Sequence, residues 1–124
     1  MTLSDLAFWM SELSSGFIKI DGRIFVDRNG VGKSTLEAKI KNYASVHEAQ
    51  YWMNIIPVAD FIAACVGGEW DAVDSDALAV AQVFATVLQE RAQLAFPQDR
   101  IRVEVWTDKE AGDLGVRLLQ VEAD

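Results

Sequence analysis

Apolar residues recur at two spacings along this chain, and the change of spacing divides it into helices and strands. Over residues 3–13 they return every three or four positions, which predicts a first helix that ends at a Ser-Ser-Gly sequence. Residues 17–21 and 23–27 are β-prone runs around the pair Asp21-Gly22, a strong hairpin signal because both central positions of such a turn need positive φ. The chain therefore begins with a helix and a β-hairpin.

Residues 34–44 follow a second glycine-rich turn and carry two competing patterns. Apolar and charged residues alternate from Leu36 to Lys41, as in a strand, whereas Ser34 and Glu37 fit a helix capping box. Because two turns precede this segment, we predict a third strand that completes an N-terminal meander. A helix over the same residues is the alternative.

Helical spacing returns in the middle of the chain. A capping-box pattern opens a helix at Ser45, and Pro57 interrupts it. A further helical stretch ends at Gly67, and a long helix with one apolar stripe ends at Phe96. The middle of the chain is therefore predicted to be helical.

The last part of the chain returns to strand spacing. Apolar and polar residues alternate over residues 101–107, and a second β-prone run at residues 116–122 predicts a closing hairpin. The order helix, strands, helices, strands is typical of an α+β fold rather than of a parallel βαβ fold. We predict an antiparallel sheet, formed by the N-terminal meander and the C-terminal hairpin, with helices packed on one face. Residues 1–124 are expected to form a single domain.

Charge narrows the range of partners. The sequence has a net charge of −8, which opposes binding to nucleic acid and to anionic membranes. Between residues 42 and 90 there is no Lys or Arg against seven Asp and Glu residues, so the negative charge is concentrated in the middle of the chain. A partner protein with a basic surface is the expectation that follows.

Compartment and redox state are inferred from what the sequence lacks. The apolar run 55–66 covers about twelve residues where a membrane span needs about twenty, and no secretory signal pattern precedes the first helix. The single cysteine, Cys65, lies in an apolar run and is predicted to be a buried, inert thiol. We expect a cytoplasmic protein that does not bind membranes.

The segment Gly30–Thr35 resembles the last part of a Walker A phosphate-binding loop. The resemblance implies that Lys33 would hold phosphate and that Ser34 would bind Mg²⁺. Asp27 stands where the motif has its first glycine, and the predicted fold lacks the parallel strands of that family. Nucleotide binding is therefore kept as an alternative function, and we predict no cofactor.

An acidic segment beyond Gly67 carries the residues that we predict to bind a partner. The spacing of its carboxylates does not follow a calcium-binding loop, so no metal is expected. A tryptophan inside this segment is typical of the aromatic anchors of protein interfaces, although it could instead fold back onto the core. The predicted contact residues are Glu69, Trp70, Asp71, Asp74 and Asp76.

These observations predict a small acidic intracellular protein-binding module rather than an enzyme. His47 is the single histidine, and Cys65 lacks the sequence signature of a nucleophile. Bacterial immunity proteins and secretion chaperones are often small and acidic, an analogy of size and charge only. Trp106 falls on the outer side of its strand, so a homodimer or larger homo-oligomer that buries this face is a further alternative.

Overall fold

Helices and two antiparallel sheets make up the part of the chain that the computed structural model describes, residues 1–67, 70–71, 74–108 and 110–121. The helices are α1 (Leu3–Leu13), α2 (Lys33–Ile40), α3 (Val46–Met53), α4 (Val58–Val66) and α5 (Ser75–Ala95). The strands are β1 (Gly16–Ile20), β2 (Arg23–Asp27), β3 (Ile55–Ile56), β4 (Ile101–Asp108) and β5 (Asp113–Gln120). Strands β1 and β2 pair with each other, and the second sheet has the order β3-β5-β4. The predicted α+β class is confirmed.

Both predicted hairpins form, although the closing strand begins three residues earlier than predicted, at Asp113. Ile20 pairs with Arg23, and the connecting residues Asp21 and Gly22 have φ values of 50° and 79°, as a tight turn of this kind requires. The β4–β5 hairpin closes at the pair Asp108–Asp113. The Asp-Gly turn therefore accounts for the register of the first hairpin.

The predicted third strand of the meander is wrong, because residues 33–40 form helix α2. Leu36 is buried and Ile40 packs beside it, so the residues that face the core are four apart rather than two apart. Ala38, which the alternating pattern would bury, is exposed. A short strand that the sequence did not predict, β3, pairs with β5 immediately before Pro57.

Side-chain caps begin three of the helices. The Oγ atoms of Thr2 and Ser45 accept hydrogen bonds from the backbone N–H groups of Asp5 and Glu48, and Asp74 caps α5 in the same way. The carboxylate of Asp5 accepts the backbone N–H of Thr2, which lowers the pKa of Asp5. This capping box is therefore complete at neutral pH and weakens only as the pH falls through that lowered pKa.

The main core lies between the three-stranded sheet and helices α4 and α5. Val116 and Leu118 of β5 are fully buried on this face, where they belong to one apolar cluster with Phe84 of α5. On the opposite face of the sheet, called the outer face below, Tyr51 of α3 contacts Arg117. A second, smaller cluster joins the N-terminal hairpin to α2 and α3.

Side-chain amides join the two sheets. Asn54 is fully buried; its Oδ1 accepts the N–H of Val26, and its Nδ2 donates to the carbonyls of Ile24 and Leu118 at 2.8 and 3.2 Å. The Oε1 of Gln120 accepts the N–H of Ile24 at 2.8 Å. Amide groups here replace the backbone ladder that would join β2 to β5 in a continuous sheet.

A side chain also covers part of the free edge of the larger sheet. The amide of Gln89 in α5 donates to the carbonyl of Ile101 and accepts the N–H of Val103, both at 2.7 Å. A free edge strand otherwise offers these groups to another chain. Gln89 therefore blocks strand addition at the start of β4.

Glycine at position 115 is required by the close approach of β3. A Cβ atom at Gly115 would lie 2.9 Å from the carbonyl oxygen of Ile56 and 3.3 Å from Cγ2 of Ile55. We expect Gly115→Ala to lower the free energy of unfolding by about 2 kcal/mol, since the backbone of β3 must move. Gly16→Ala is the matched control, because nothing lies within 4 Å of its Cβ position. Urea unfolding measures both, and equal stabilities would contradict this account.

Helix length bears on membrane insertion. Across the described ranges, the structure contains no helix that is both long enough and apolar enough to cross a membrane.

Candidate functional site

A cleft between α4 and α5 brings together most of the residues predicted to bind a partner. Its volume is about 360 Å³. Apolar side chains from both helices form most of its lining, and carboxylates stand at its rim. The lining residues are Phe61, Ile62, Cys65, Val66, Trp70, Asp71, Asp74, Asp76, Ala77 and Val80.

The ends of the two helices shape the mouth of this cleft. Helix α4 stops at Gly67, which adopts a left-handed conformation with φ of 67° and donates its N–H to the carbonyl of Ala63. Helix α5 begins after Asp74, whose carboxylate accepts the N–H groups of Asp76 and Ala77 at 2.9 and 3.2 Å. The acidic rim therefore lies at the N-terminus of a helix, where negative charge is favourable.

Trp70 does not stand free as an anchor. Its side chain is half-buried and packs against the main core, which is the second of the two arrangements that the sequence left open. The apolar surface of the α4–α5 pair explains this, because a large ring beside it is removed from water by folding back. Trp70 still lines the cleft and forms part of its wall.

The predicted acidic residues divide into different roles. Asp71 and Asp76 are exposed at the rim, and the carboxylate of Asp74 caps α5. Glu69 lies outside the described residues. Within those residues, no group of three or more His, Cys, Asp or Glu side chains is arranged to hold a metal ion. The rim is thus a source of negative charge beside an apolar cleft.

The prediction of a buried thiol is wrong, because Cys65 is exposed. Helix α4 is apolar almost throughout, and Val58 and Ile62 occupy the side that faces the core. Cys65 follows Val58 by seven residues and so lies on the same side of the helix, but it belongs to the last turn of α4, where it lines the cleft. A helix that is apolar almost throughout does not mark which of its residues stay exposed.

The loop that resembles a phosphate-binding motif is filled by its own carboxylate. Asp27 accepts the N–H of Val31 at 3.0 Å and the N–H of Gly32 at 3.2 Å. These are backbone groups of the kind that cradle phosphate in a Walker A loop. Lys33 is exposed at the start of α2, and the preceding strand β2 pairs antiparallel with β1. The geometry therefore argues against phosphate binding here.

A wider cleft of about 600 Å³ adjoins this loop. Serine hydroxyls and glycines form most of its wall, and Asp27 is its charged member. None of the described residues that line it carries a positive charge. It offers no counter-charge to a nucleotide.

The other tryptophans and the histidine complete the comparison with the sequence. Trp9 is 6% exposed and belongs to the core, whereas Trp52 is 50% exposed. His47 lies exposed near the start of α3. Trp106 is half-buried on the outer face of β4. A homo-oligomer formed through that face stays a prediction.

No protein-family model, curated protein or solved structure matches this chain. The cleft and the side chains that line it are therefore the basis for a proposed function.

Proposed function

We propose that this protein is a binding module that takes a segment of a partner protein into the cleft between α4 and α5. The observation that carries the proposal is the joining of an apolar cleft of about 360 Å³ to a rim of carboxylates. Clefts of this size are typical of ligand sites, and apolar walls with a few placed polar groups define orientation. Binding of this kind requires no cofactor and no catalytic residue.

The charge of the cleft indicates the kind of segment that fits. Every lining residue comes from the stretch 42–90, which has no Lys or Arg. The complementary ligand is a segment with one or two apolar side chains between Lys or Arg residues. The apolar side chains would occupy the space beside Phe61 and Val80, and the basic groups would approach Asp71 and Asp76. Such charge complementarity speeds association and makes it sensitive to salt.

Short fluorescent peptides test the proposal directly. We expect a peptide with a central Leu or Phe between lysines to bind, as measured by fluorescence anisotropy, and to bind more weakly at high salt. A peptide with glutamates in place of the lysines, and one with Ser in place of the apolar residue, are expected to bind much more weakly. Equal binding of all three would contradict the proposal.

Matched variants locate the binding. Asp71→Asn with Asp76→Asn is expected to weaken the lysine peptide roughly tenfold at low salt. Val66→Ser, at the cleft, is expected to weaken it by a similar factor, since about 1.5 kcal/mol of apolar burial is lost. Val83→Ser is the control, because Val83 is 60% exposed on α5 and does not line the cleft. Trp70→Ala is unsuitable, since Trp70 packs on the core.

The single cysteine supplies a second readout. Cys65 is exposed and lines the cleft, so a bound peptide is expected to slow its reaction with a thiol reagent. Binding that leaves the reaction rate unchanged would place the peptide elsewhere on the protein and would contradict the proposed site.

A further inference from the structure

The outer face of the three-stranded sheet encloses a positive charge in aromatic rings. Arg117, in the middle of β5, is 1% exposed. Its guanidinium carbon lies 3.8 Å from the centre of the Tyr51 ring and 5.7 and 5.6 Å from those of Trp52 and Trp106. These are cation–π distances. The charge is therefore held between α3 and β4, on the side of the sheet opposite the cleft.

The edge of Arg117 that normally binds an oxyanion has no partner. Both Nε and Nη2 are buried and make no hydrogen bond within the described structure. These two nitrogens form one side of the planar guanidinium, and together they bind a carboxylate through two parallel N–H···O bonds. Buried charged donors without an acceptor are costly and uncommon in folded proteins. Their presence points to an acceptor that the described residues do not supply.

The charges near Arg117 do not neutralise it, and the remaining positive charge favours an anion. Nη1 of Arg117 is 3.6 Å from Oε1 of Glu104, beyond hydrogen-bond length. The other oxygen of Glu104 lies 3.5 Å from Nη2 of Arg102. Two guanidinium groups therefore share one carboxylate, and this small group of side chains has a local charge of +1 in a protein of net charge −8.

Two of the rings around Arg117 are exposed side chains. Trp52 is 50% exposed and Tyr51 38% exposed, and their rings meet edge to face at 5.0 Å. Exposed side chains change rotamer within nanoseconds, so a ring can swing aside without any change in the backbone. The ring faces would then contact the apolar body of a ligand.

We propose that the outer face is a second binding site, which takes a carboxylate attached to an apolar body. The carboxylate accepts two hydrogen bonds from Nε and Nη2 of Arg117, and the apolar body packs against Tyr51, Trp52 and Trp106. The carboxylate comes either from a small organic acid or from the C-terminus of a polypeptide. The site is independent of the cleft, and either proposal can fail without the other.

Titration with benzoate, observed by NMR, tests this site in the intact chain. We expect benzoate to shift the indole N–H signals of Trp52 and Trp106 and the Nε–H signal of Arg117 saturably. Benzamide, which has the same shape without the charge, is expected to leave them unchanged. An acetylated peptide that ends in Phe with a free carboxylate, compared with its amide, distinguishes the polypeptide source from the small acid.

Variants on the same face test whether the ligand is bound by the paired Nε and Nη2 donors of Arg117 or by its positive charge alone. Arg117→Met is expected to weaken benzoate binding about tenfold or more. It should fold, because replacing a buried charge by an apolar group of similar shape is often neutral. Arg117→Lys keeps the positive charge but lacks the paired donors of the guanidinium, so it is also expected to bind benzoate more weakly. Arg100→Met is the control, since Arg100 is exposed just before β4 and belongs neither to the aromatic rings nor to the group of Arg102, Glu104 and Arg117.

Several results would overturn the proposal. Benzamide that binds as well as benzoate would show simple apolar contact. Affinity that is unchanged in both Arg117 variants would assign Arg117 a structural role only, and so would the absence of any shift of its Nε–H signal with either acid. That signal is read on the unmodified protein, so the test does not depend on a variant that folds.

Discussion

Asn54→Ala is expected to lower the free energy of unfolding by about 4 kcal/mol, the largest effect of any single change considered for this protein. Asn54 is fully buried, and its amide makes three hydrogen bonds to backbone groups of β2 and β5. Alanine leaves the N–H of Val26 and the carbonyl of Leu118 in the core without these partners. Each buried polar group that loses its partner costs about 1–3 kcal/mol.

Urea unfolding, followed by circular dichroism, measures this effect. Asn42→Ala is the matched control, because Asn42 is exposed in the turn between α2 and α3 and should change stability by less than about 0.5 kcal/mol. A loss below about 1 kcal/mol for Asn54→Ala would mean that water or a shifted backbone replaces the amide. The proposed joint between the sheets would then be incorrect.

Arg28→Met is expected to cost about 3 kcal/mol, the second largest effect. Glu12 of α1 has a side chain only 2% exposed, and its two oxygens accept hydrogen bonds from Nε and Nη2 of Arg28 at 2.8 and 3.1 Å. Removal of the arginine leaves a buried carboxylate without its counter-charge. The Arg28 side chain is 31% exposed, so the reverse change, Glu12→Gln, leaves a cation that water can reach and should cost less.

A double variant distinguishes the stability that comes from the Glu12–Arg28 ion pair from the cost of leaving one charge unpaired. Glu12→Leu combined with Arg28→Met should recover much of the stability, since an apolar pair of similar volume can replace a buried ion pair. Lys19→Met is the exposed comparison, because the Lys19–Asp99 pair is 40% and 20% exposed and should contribute less than about 1 kcal/mol. Equal losses for Arg28→Met and Lys19→Met would contradict the role assigned to burial.

Local signals in the sequence predicted much of the fold. The Asp21-Gly22 turn and the end of α4 at Gly67 each depend on neighbouring residues, and each lies where it was expected. Strand β3 was missed because two isoleucines become a strand only through pairing with β5. Helix α2 was misassigned because local alternation competed with helix propensity, and packing of Leu36 decided the outcome.

The candidate sites were predictable only in part. The acidic rim followed from charge along the chain, which tertiary structure does not alter. The packing of Trp70 and the exposure of Cys65 depend on how α4 and α5 meet at the cleft, and no local pattern reveals this. Arg117 contacts the ring of Tyr51, which lies far from it in the sequence, so no local pattern predicts this contact.

The bonds that hold the N-terminal hairpin also constrain how the chain folds during its synthesis. Gln120 accepts the N–H of Ile24, 96 residues earlier, and Arg91 donates to the carbonyl of Ser15, 76 residues earlier. At a ribosomal rate of about 5–20 residues per second, roughly 5–20 s separate the synthesis of Ile24 from that of Gln120. During this interval the apolar side of the hairpin faces solvent or a chaperone. Its other side packs on α2 and α3, which follow directly in the chain, so the side that carries Ile24 and Val26 is the part of the hairpin that waits for the main core.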